Sequence, residues 1–351
     1  MPRTTKDRIE ERLFERGRDL FTDLSVVFLD TTTLRFTGAG GEMLGRRGYS
    51  KDHRPDLMQM VLGGGIDGDG RSVCTEMWPG DTADVSVLIP VVDRLRARFS
   101  IGRVRIVANR GMISQETIVA LEARGLDYIL GTRECTDKRV RGIVLADQRP
   151  FTPLTMTRTG GKESDLAAKE VTVASVRYIV CRNEAEATKD AADRAAIVAA
   201  LEKQLKRGDK ALIGNSAYRR FLTTTGQRFA IDPAKIGAET RYDGIYVLRT
   251  NARITPLQAM LRYRELLVVE NLFRTAKSLL RTPPIPHSSD AAIRGHVFRS
   301  FLALILRKAL HDRCRAAGFQ PEWRYSISTR CRRPTSSGAA WWWKLRQPRP
   351  S

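Results

Sequence analysis

Ser25-Val-Val-Phe-Leu-Asp-Thr-Thr-Thr-Leu-Arg-Phe36 is the stretch from which the fold is read. Nearly every residue in it is apolar, aromatic or β-branched, the composition of a strand packed on both faces. One residue does not belong to that pattern. Asp30 sits in the middle of the run, and an unanswered carboxylate inside a buried strand costs several kcal/mol. By position alone it faces solvent by alternation, accepts hydrogen bonds, or binds a cation, and the first two together outweigh the third.

Outward from this strand, a glycine-rich turn (Gly38, Gly40, Gly41, Gly45, Gly48) and a basic loop, Arg46 to Arg54, lead to two further strands, Leu57–Ile66 and Ser72–Trp78. Asp67-Gly-Asp-Gly70 between them has hairpin-turn composition. It lacks the acidic series and closing Glu of a calcium loop. Thr82–Phe99 places Val85, Leu88, Ile89, Val92 and Leu95 at helical spacing. Val104–Ala108 reads as a strand, Ser114 caps a helix that stops at Gly125, and Asp127–Leu130 is a strand again. Three antiparallel strands followed by α-β-α-β is the order of a ribonuclease-H-like core, an α/β fold with a mixed sheet. In that order the first strand and the end of the fourth lie side by side.

The rest of the chain changes character. Residues 132–250 carry short strand candidates, 170–180, 227–231 and 244–249, around one helix, 187–206, and read as a β-rich insertion. Thr255-Pro256 opens one long helix to about Leu280, ended by Pro283, Pro284 and Pro286. Ser289 or Asp290 caps a last helix to about Ala316. The expected division is therefore 1–22, a polar helix; 23–131, the first part of the core; 132–250, the insertion; 251–316, helices completing the core; and 317–351, a basic, disordered tail.

Composition narrows the function classes. The 351 residues include 60 Lys+Arg against 39 Asp+Glu, a formal net charge of +21, with 42% hydrophobic residues, enough for a real core. From Arg294 onward 13 Lys/Arg face only Asp312 and Glu322, a net of +11. Nucleic acid is the favoured partner. A solvated, arginine-rich surface is the bland alternative, and an anionic membrane a weaker one, because no long amphipathic helix accompanies the charge. No apolar run approaches the roughly 20 residues of a membrane span, and no signal peptide is visible, so a soluble cytosolic protein is expected. Cys74, Cys135, Cys181, Cys314 and Cys331 are scattered singly, which argues against zinc knuckles and disulfide frameworks. His53, His287, His296 and His311 pair with no serine elbow or cysteine.

On the long helix Tyr263, Glu270 and Lys277 recur every seven residues, close to two turns, and so share one face, with Arg274 one turn beyond Glu270. Leu267, Leu272 and Leu279 are assigned its apolar contacts. From periodicity alone this is an ordinary amphipathic helix with a weak Glu270–Arg274 surface pair.

The run Tyr263-Arg-Glu-Leu-Leu-Val-Val-Glu-Asn-Leu-Phe-Arg-Thr-Ala-Lys277 resembles the Tyr-Arg-Glu-Lys signature of bacterial insertion-sequence transposases of the DDE type. Tyr242-Asp-Gly244, Ala292-Ile-Arg-Gly-His-Val-Phe298 and Phe301–Leu304 continue the resemblance. Upstream it takes in Phe28–Thr33, Ser50–Asp56, Trp78-Pro-Gly80 with Thr82-Ala-Asp84, and Ala108-Asn-Arg-Gly-Met112, all in order over roughly residues 24–312. It implies DNA cleavage and strand transfer at phosphodiesters, with two Mg²⁺ or Mn²⁺ ions held by three acidic positions. Asp30 and Glu270 fill two of these, and Asn109 stands where the second Asp is expected. The resemblance further implies that Tyr263, Arg274, Lys277, His287 and Arg294 contact DNA, that element ends and target DNA are the partners, and that the protein is bacterial and nucleoid-associated, with a homodimer in the DNA complex left open.

Several positions depart from the pattern. Asn109 lends no charge, so metal binding and activity are expected to be weakened. Leu266 replaces an Arg of the signature, and Pro283 and Pro286 stand where a basic and an aromatic residue are expected. Only 29 residues precede Asp30, and an N-terminally truncated, degenerate element is the expectation. A catalytically inactive DNA-binding remnant is the alternative function, and an unrelated ribonuclease-H-like nuclease is disfavoured by the spaced-sevens helix.

Overall fold

The computed structural model describes residues 4–17, 26–99, 104–132, 138, 140–154, 166–206, 220–225 and 228–318. The expected disordered tail lies outside the described residues, apart from its first two.

The strand read first from the sequence is β1, Val26–Arg35, and all but its last residue is buried. β2 (Gln59–Ile66) and β3 (Ser72–Pro79) follow antiparallel. Their hairpin is held by Asp67, whose Oδ1 accepts from the backbone N–H of Asp69 and of Arg71. Then come helix α2 (Asp84–Phe99), β4 (Arg105–Ala108), α3 (Gln115–Ala123) and β5 (Asp127–Gly131). α3 begins in a capping box, Ser114 with Thr117, which satisfies N–H groups that the first turn leaves without partners. β1, β4 and β5 run parallel. β1 pairs with β4 as far as Leu29 opposite Ala108, so beyond that point β1 keeps its β2 partner but borders a notch on the β4 side.

Strand alternation sends β1 side chains to opposite faces. Val27 and Leu29 join Leu88, Val91 and Leu95 of α2 in one apolar cluster. Val26 and Phe28 join the other cluster, together with residues of three C-terminal helices: α6 (Pro256–Arg264), α7 (Leu266–Ser278) and α8 (Asp290–Ala316). The helix α1 (Thr5–Gly17) is fastened to the sheet edge by charge. Its buried Glu10 accepts from Thr75 N–H at 3.1 Å and pairs with Lys6 and Arg98 at 3.0 and 2.9 Å.

Between β5 and α6 the chain forms β6 (Thr152–Leu154), β7 (Leu166–Val173), β8 (Val176–Asn183), α4 (Glu184–Leu205), β9 (Leu222–Thr225), β10 (Arg228–Ile231), α5 (Pro233–Thr240) and β11 (Ile245–Thr250). The main sheet has nine strands in the order β3-β2-β1-β4-β5-β11-β8-β7-β6. The segment expected as an insertion therefore extends the sheet, and among the described strands only the β9–β10 pair stands apart from it, its Leu222 and Phe229 packed with Leu201 of α4.

Four sequence readings change. The strand expected over 170–180 is a hairpin, reversed at Ala174 and Ser175, both at positive φ; neither residue carries the Gly or Asn signal of such a turn. The single helix expected from 256 to 280 is two, α6 and α7, separated at Glu265. There the Glu265 N–H reaches both Leu261 O and Arg262 O, and Val268 N–H bonds back to Glu265 O, a local tightening of the helix. Leu267, assigned to the core, is 53% exposed; the buried face of α7 is Leu266, Val269, Phe273 and Ala276. β6, β9 and α5 are short elements that no periodicity marked.

Gly64 sets how close α7 comes to the sheet. It stands opposite Asp30 across β1 and β2, and a Cβ there would lie 3.1 Å from the Phe273 ring. Glycine thus lets Phe273 settle onto the sheet beside Asp30. Phe273→Ala should lower the free energy of urea unfolding by about 3–4 kcal/mol, the cost of emptying a large buried site. A loss below about 1 kcal/mol would mean that α7 is not docked through this ring.

Candidate active-site cleft

Asp30 lies one residue past the last β1–β4 pair, and Asn109 one residue past the end of β4. Parallel pairing therefore sets the two side by side at the lip of the notch. Glu270 comes from α7, one turn before Phe273. The three line one open cleft of about 900 Å³, together with Lys51, Asp52, Asp84, Arg35, Arg274 and Lys277. Sequence separations of 79 and 161 residues are thus closed by the sheet and one helix.

The cleft is charged on all sides, and the charges are unequally answered. Asp30 is 9% exposed. Its Oδ1 accepts from Thr31 N–H at 2.8 Å and lies 3.9 Å from Lys51 Nζ. Burial pushes the Asp30 carboxyl up to about 6, against the pull of Lys51 and the Thr31 N–H, with Glu270 and Asp84 adding repulsion. Lys51 Nζ also lies 3.0 Å from Asp84 Oδ2 and donates to Thr31 O at 2.7 Å. Asp84 Oδ1 accepts from the Thr31 hydroxyl at 2.7 Å. Among the described residues, none bonds the half-buried Glu270 carboxylate, and the Glu270–Arg274 pair read from the sequence is not formed.

Asn109 closes the 3₁₀ turn Arg110–Met112: its Oδ1 accepts from Arg110 N–H at 2.7 Å. The same oxygen receives the Tyr263 hydroxyl at 3.4 Å. Tyr263 is steered there by stacking on Tyr246 and by Gly131, whose missing side chain leaves room for the phenol. Lys277 points into the cleft but is held by Asp52 Oδ1 at 2.6 Å. Arg274 is exposed at the cleft. His287 and Arg294 are not among the residues lining it: His287 Nε2 faces His296 Nδ1 at 3.1 Å, and Arg294 is exposed on α8.

Lys51, Asp52 and Asp84 were not singled out in the sequence. Lys51 and Asp52 lie in a basic loop that looks like solvated surface, and Asp84 in the first turn of α2 looks like a helix-dipole partner. The only available signal was their place in the segments Ser50–Asp56 and Thr82–Asp84, which carried the family resemblance.

Residues 21–306 match the family described as the transposase DDE domain. The chain belongs to that family. No curated protein matches it. Among solved structures, the cryo-EM structure of a piggyBac transposase synaptic complex with hairpin DNA matches with 11% sequence identity and a TM-score of 0.47, over 85% of this chain. The chain spans about half, 49%, of the length of that transposase.

The donors around Asp30 are hard oxygens, two carboxylates and an amide, with Asp84 beyond, and these suit Mg²⁺ or Mn²⁺. Among the described residues no three Asp, Glu, His or Cys side chains are gathered tightly enough to clasp an ion as they stand. The Lys51 ammonium lies between two of the carboxylates instead.

The raised Asp30 carboxyl gives a stability test. Because the folded state holds this proton more tightly than the unfolded chain, its contribution is greatest at low pH and is lost as pH rises from about 4 through about 6. At pH 7.5 the charge therefore weighs against the fold, by at most about 3 kcal/mol. In chelator-containing buffer Asp30→Asn should be more stable than the parent at pH 7.5, and the gain should fade toward pH 4. A variant less stable at pH 7.5 would contradict the burial of a poorly compensated charge.

Proposed function

We propose that this chain is the catalytic domain of a bacterial insertion-sequence transposase, cutting DNA and transferring its strands with divalent metal. The observation carrying the proposal is the convergence of Asp30, Asn109 and Glu270 in one cleft whose rim also bears Arg35, Arg274 and Lys277. The strand order β3-β2-β1-β4-β5, with acidic positions at the ends of adjacent parallel strands, supports a ribonuclease-H-like reading of the core.

Asp30 and Glu270 would hold the metal, with Asn109 lending at most a neutral oxygen. Bound there, two divalent ions would supply charge neutralisation at the scissile phosphate and acidify the attacking hydroxyl. The remaining work belongs to the chain. Arg274 meets phosphate oxygens with a planar fork of donors, and Lys277 adds a mobile point charge once DNA phosphate displaces Asp52. Tyr263 holds the Asn109 side chain in place through its hydroxyl. Burial around Asp30 fixes the geometry at one end of the cleft.

A second reading, a DNA-binding remnant without catalysis, is favoured by one feature: the Asn109 oxygen already has two donors and carries no charge. Nicking of supercoiled plasmid separates the two. The proposal expects Mg²⁺- or Mn²⁺-dependent nicking that falls at least a hundredfold, about 3 kcal/mol of barrier, in Asp30→Asn and in Glu270→Gln. Asn109→Asp should raise the rate tenfold or more. Nicking that survives both acidic substitutions removes the proposal, and none by any variant, Asn109→Asp included, leaves the remnant.

Binding offers an independent check. Phosphate neutralisation releases counterions, so affinity for a random duplex should fall steeply with salt, and Arg274→Ala should make that slope shallower by about one. Affinity that stays flat from about 50 to 300 mM salt, where on the order of tenfold or more should be lost, would exclude DNA as the partner.

A further inference from the structure

Asn109 leaves the cleft one carboxylate short of what two dications need, and the structure offers a replacement. Resting on the metal-dependent reading above, we infer that Asp84 is the third acidic metal ligand of this chain, taking the part that Asn109 cannot, and that Lys51 is the ammonium that holds the site's place until the metal enters.

Four observations carry this. Asp84 Oδ2 and Asp30 Oδ1 share one cation, at 3.0 and 3.9 Å from Lys51 Nζ. The two oxygens are therefore within about 7 Å of each other, a span that ions about 4 Å apart bridge. Asp84 also borders the position it would replace: a Cβ on Gly111, two residues after Asn109, would lie 3.4 Å from Asp84 Oδ2. Third, Asp30 is nine-tenths buried, yet its Oδ2 receives no hydrogen bond from any described residue, which leaves a donor atom for an ion. Finally, the Asn109 oxygen is already bonded by Arg110 N–H and the Tyr263 hydroxyl. It would have to give up both to serve a metal.

Asp52, the other carboxylate at the cleft, does not fit the part. Lys277 holds it at 2.6 Å, and it shares no cation with Asp30. Asp84, by contrast, stands in the first turn of α2 with its carboxylate turned to Thr31 and Lys51 rather than to its own helix. The notch left where β4 stops lets a side chain from the α2 face reach the lip on which Asp30 lies. A dication outcompetes an ammonium for two carboxylates because it carries twice the charge at shorter range.

Isothermal titration of the full chain with Mn²⁺, without DNA, tests this apart from activity. Asp84→Asn keeps an acceptor for the Thr31 hydroxyl, and it should weaken Mn²⁺ binding at least tenfold, as Asp30→Asn does. Lys51→Gln removes the competing ammonium and should strengthen binding severalfold. Parental affinity in Asp84→Asn alongside a loss in Asp30→Asn would overturn the assignment of Asp84 while leaving the metal-dependent reading intact. Absence of Mn²⁺ binding by the parent would overturn both. Should Asp84→Asn fail to fold, as judged by its melting curve, Lys51→Gln decides: binding unchanged or weaker than the parent overturns the inference.

Discussion

A single buried charge organises this molecule. Asp30 is carried into the middle of a nine-stranded sheet by a strand whose other residues favour burial, and it is 9% exposed. Little water reaches it at the floor of the cleft, so the surrounding structure answers most of the charge. The Thr31 N–H, Lys51 from the loop after β1, and the notch beyond the end of β4 are all parts of that answer. The same notch brings in Asn109, and Gly64 opposite Asp30 lets α7 come down close enough to add Glu270.

Burial that weighs against stability is informative because folding has no use for it. Glu270, half-buried and without a described partner, compounds the repulsion at Asp30. Like charges kept close in a concave, basic-rimmed site mark a candidate for ligand binding, where a bound cation can supply the missing opposite charge. Here the chain supplies part of it itself through Lys51, whose ammonium keeps Asp30 and Asp84 together.

Much of this was legible in the sequence, for physical reasons that differ by element. β1 to β5 were readable because strands buried on both faces are continuous apolar runs and α2 has an apolar stripe, and their order placed Asp30 next to the end of β4. Tyr263, Glu270 and Lys277 were legible as a seven-residue repeat, but periodicity alone reads as an ordinary amphipathic helix and only the family resemblance gave the repeat a role; in the structure Glu270 and Lys277 line the cleft and Tyr263 reaches Asn109. The hairpin at Ala174–Ser175 was illegible because its turn uses residues that ordinarily avoid positive φ. Lys51 and Asp84 were illegible for a different reason: their roles come from meeting across the sheet, and a lysine in a polar loop or an aspartate in a first helical turn looks the same whether it meets anything or not. His287 and Arg294, placed at the DNA by resemblance, are absent from the cleft lining and belong to a neighbouring surface of α8 and the segment before it.

The central claim is that the ends of β1 and β4, with α7, form one metal-binding cleft. Anomalous diffraction from crystals soaked in Mn²⁺ addresses it most directly. The account predicts a peak within coordination distance, roughly 2.0–2.4 Å, of carboxylate oxygens of both Asp30 and Glu270, with Lys51 Nζ displaced from Asp30. Manganese bound elsewhere, or a cleft in which Lys51 stays between Asp30 and Asp84 at saturating Mn²⁺, would contradict it.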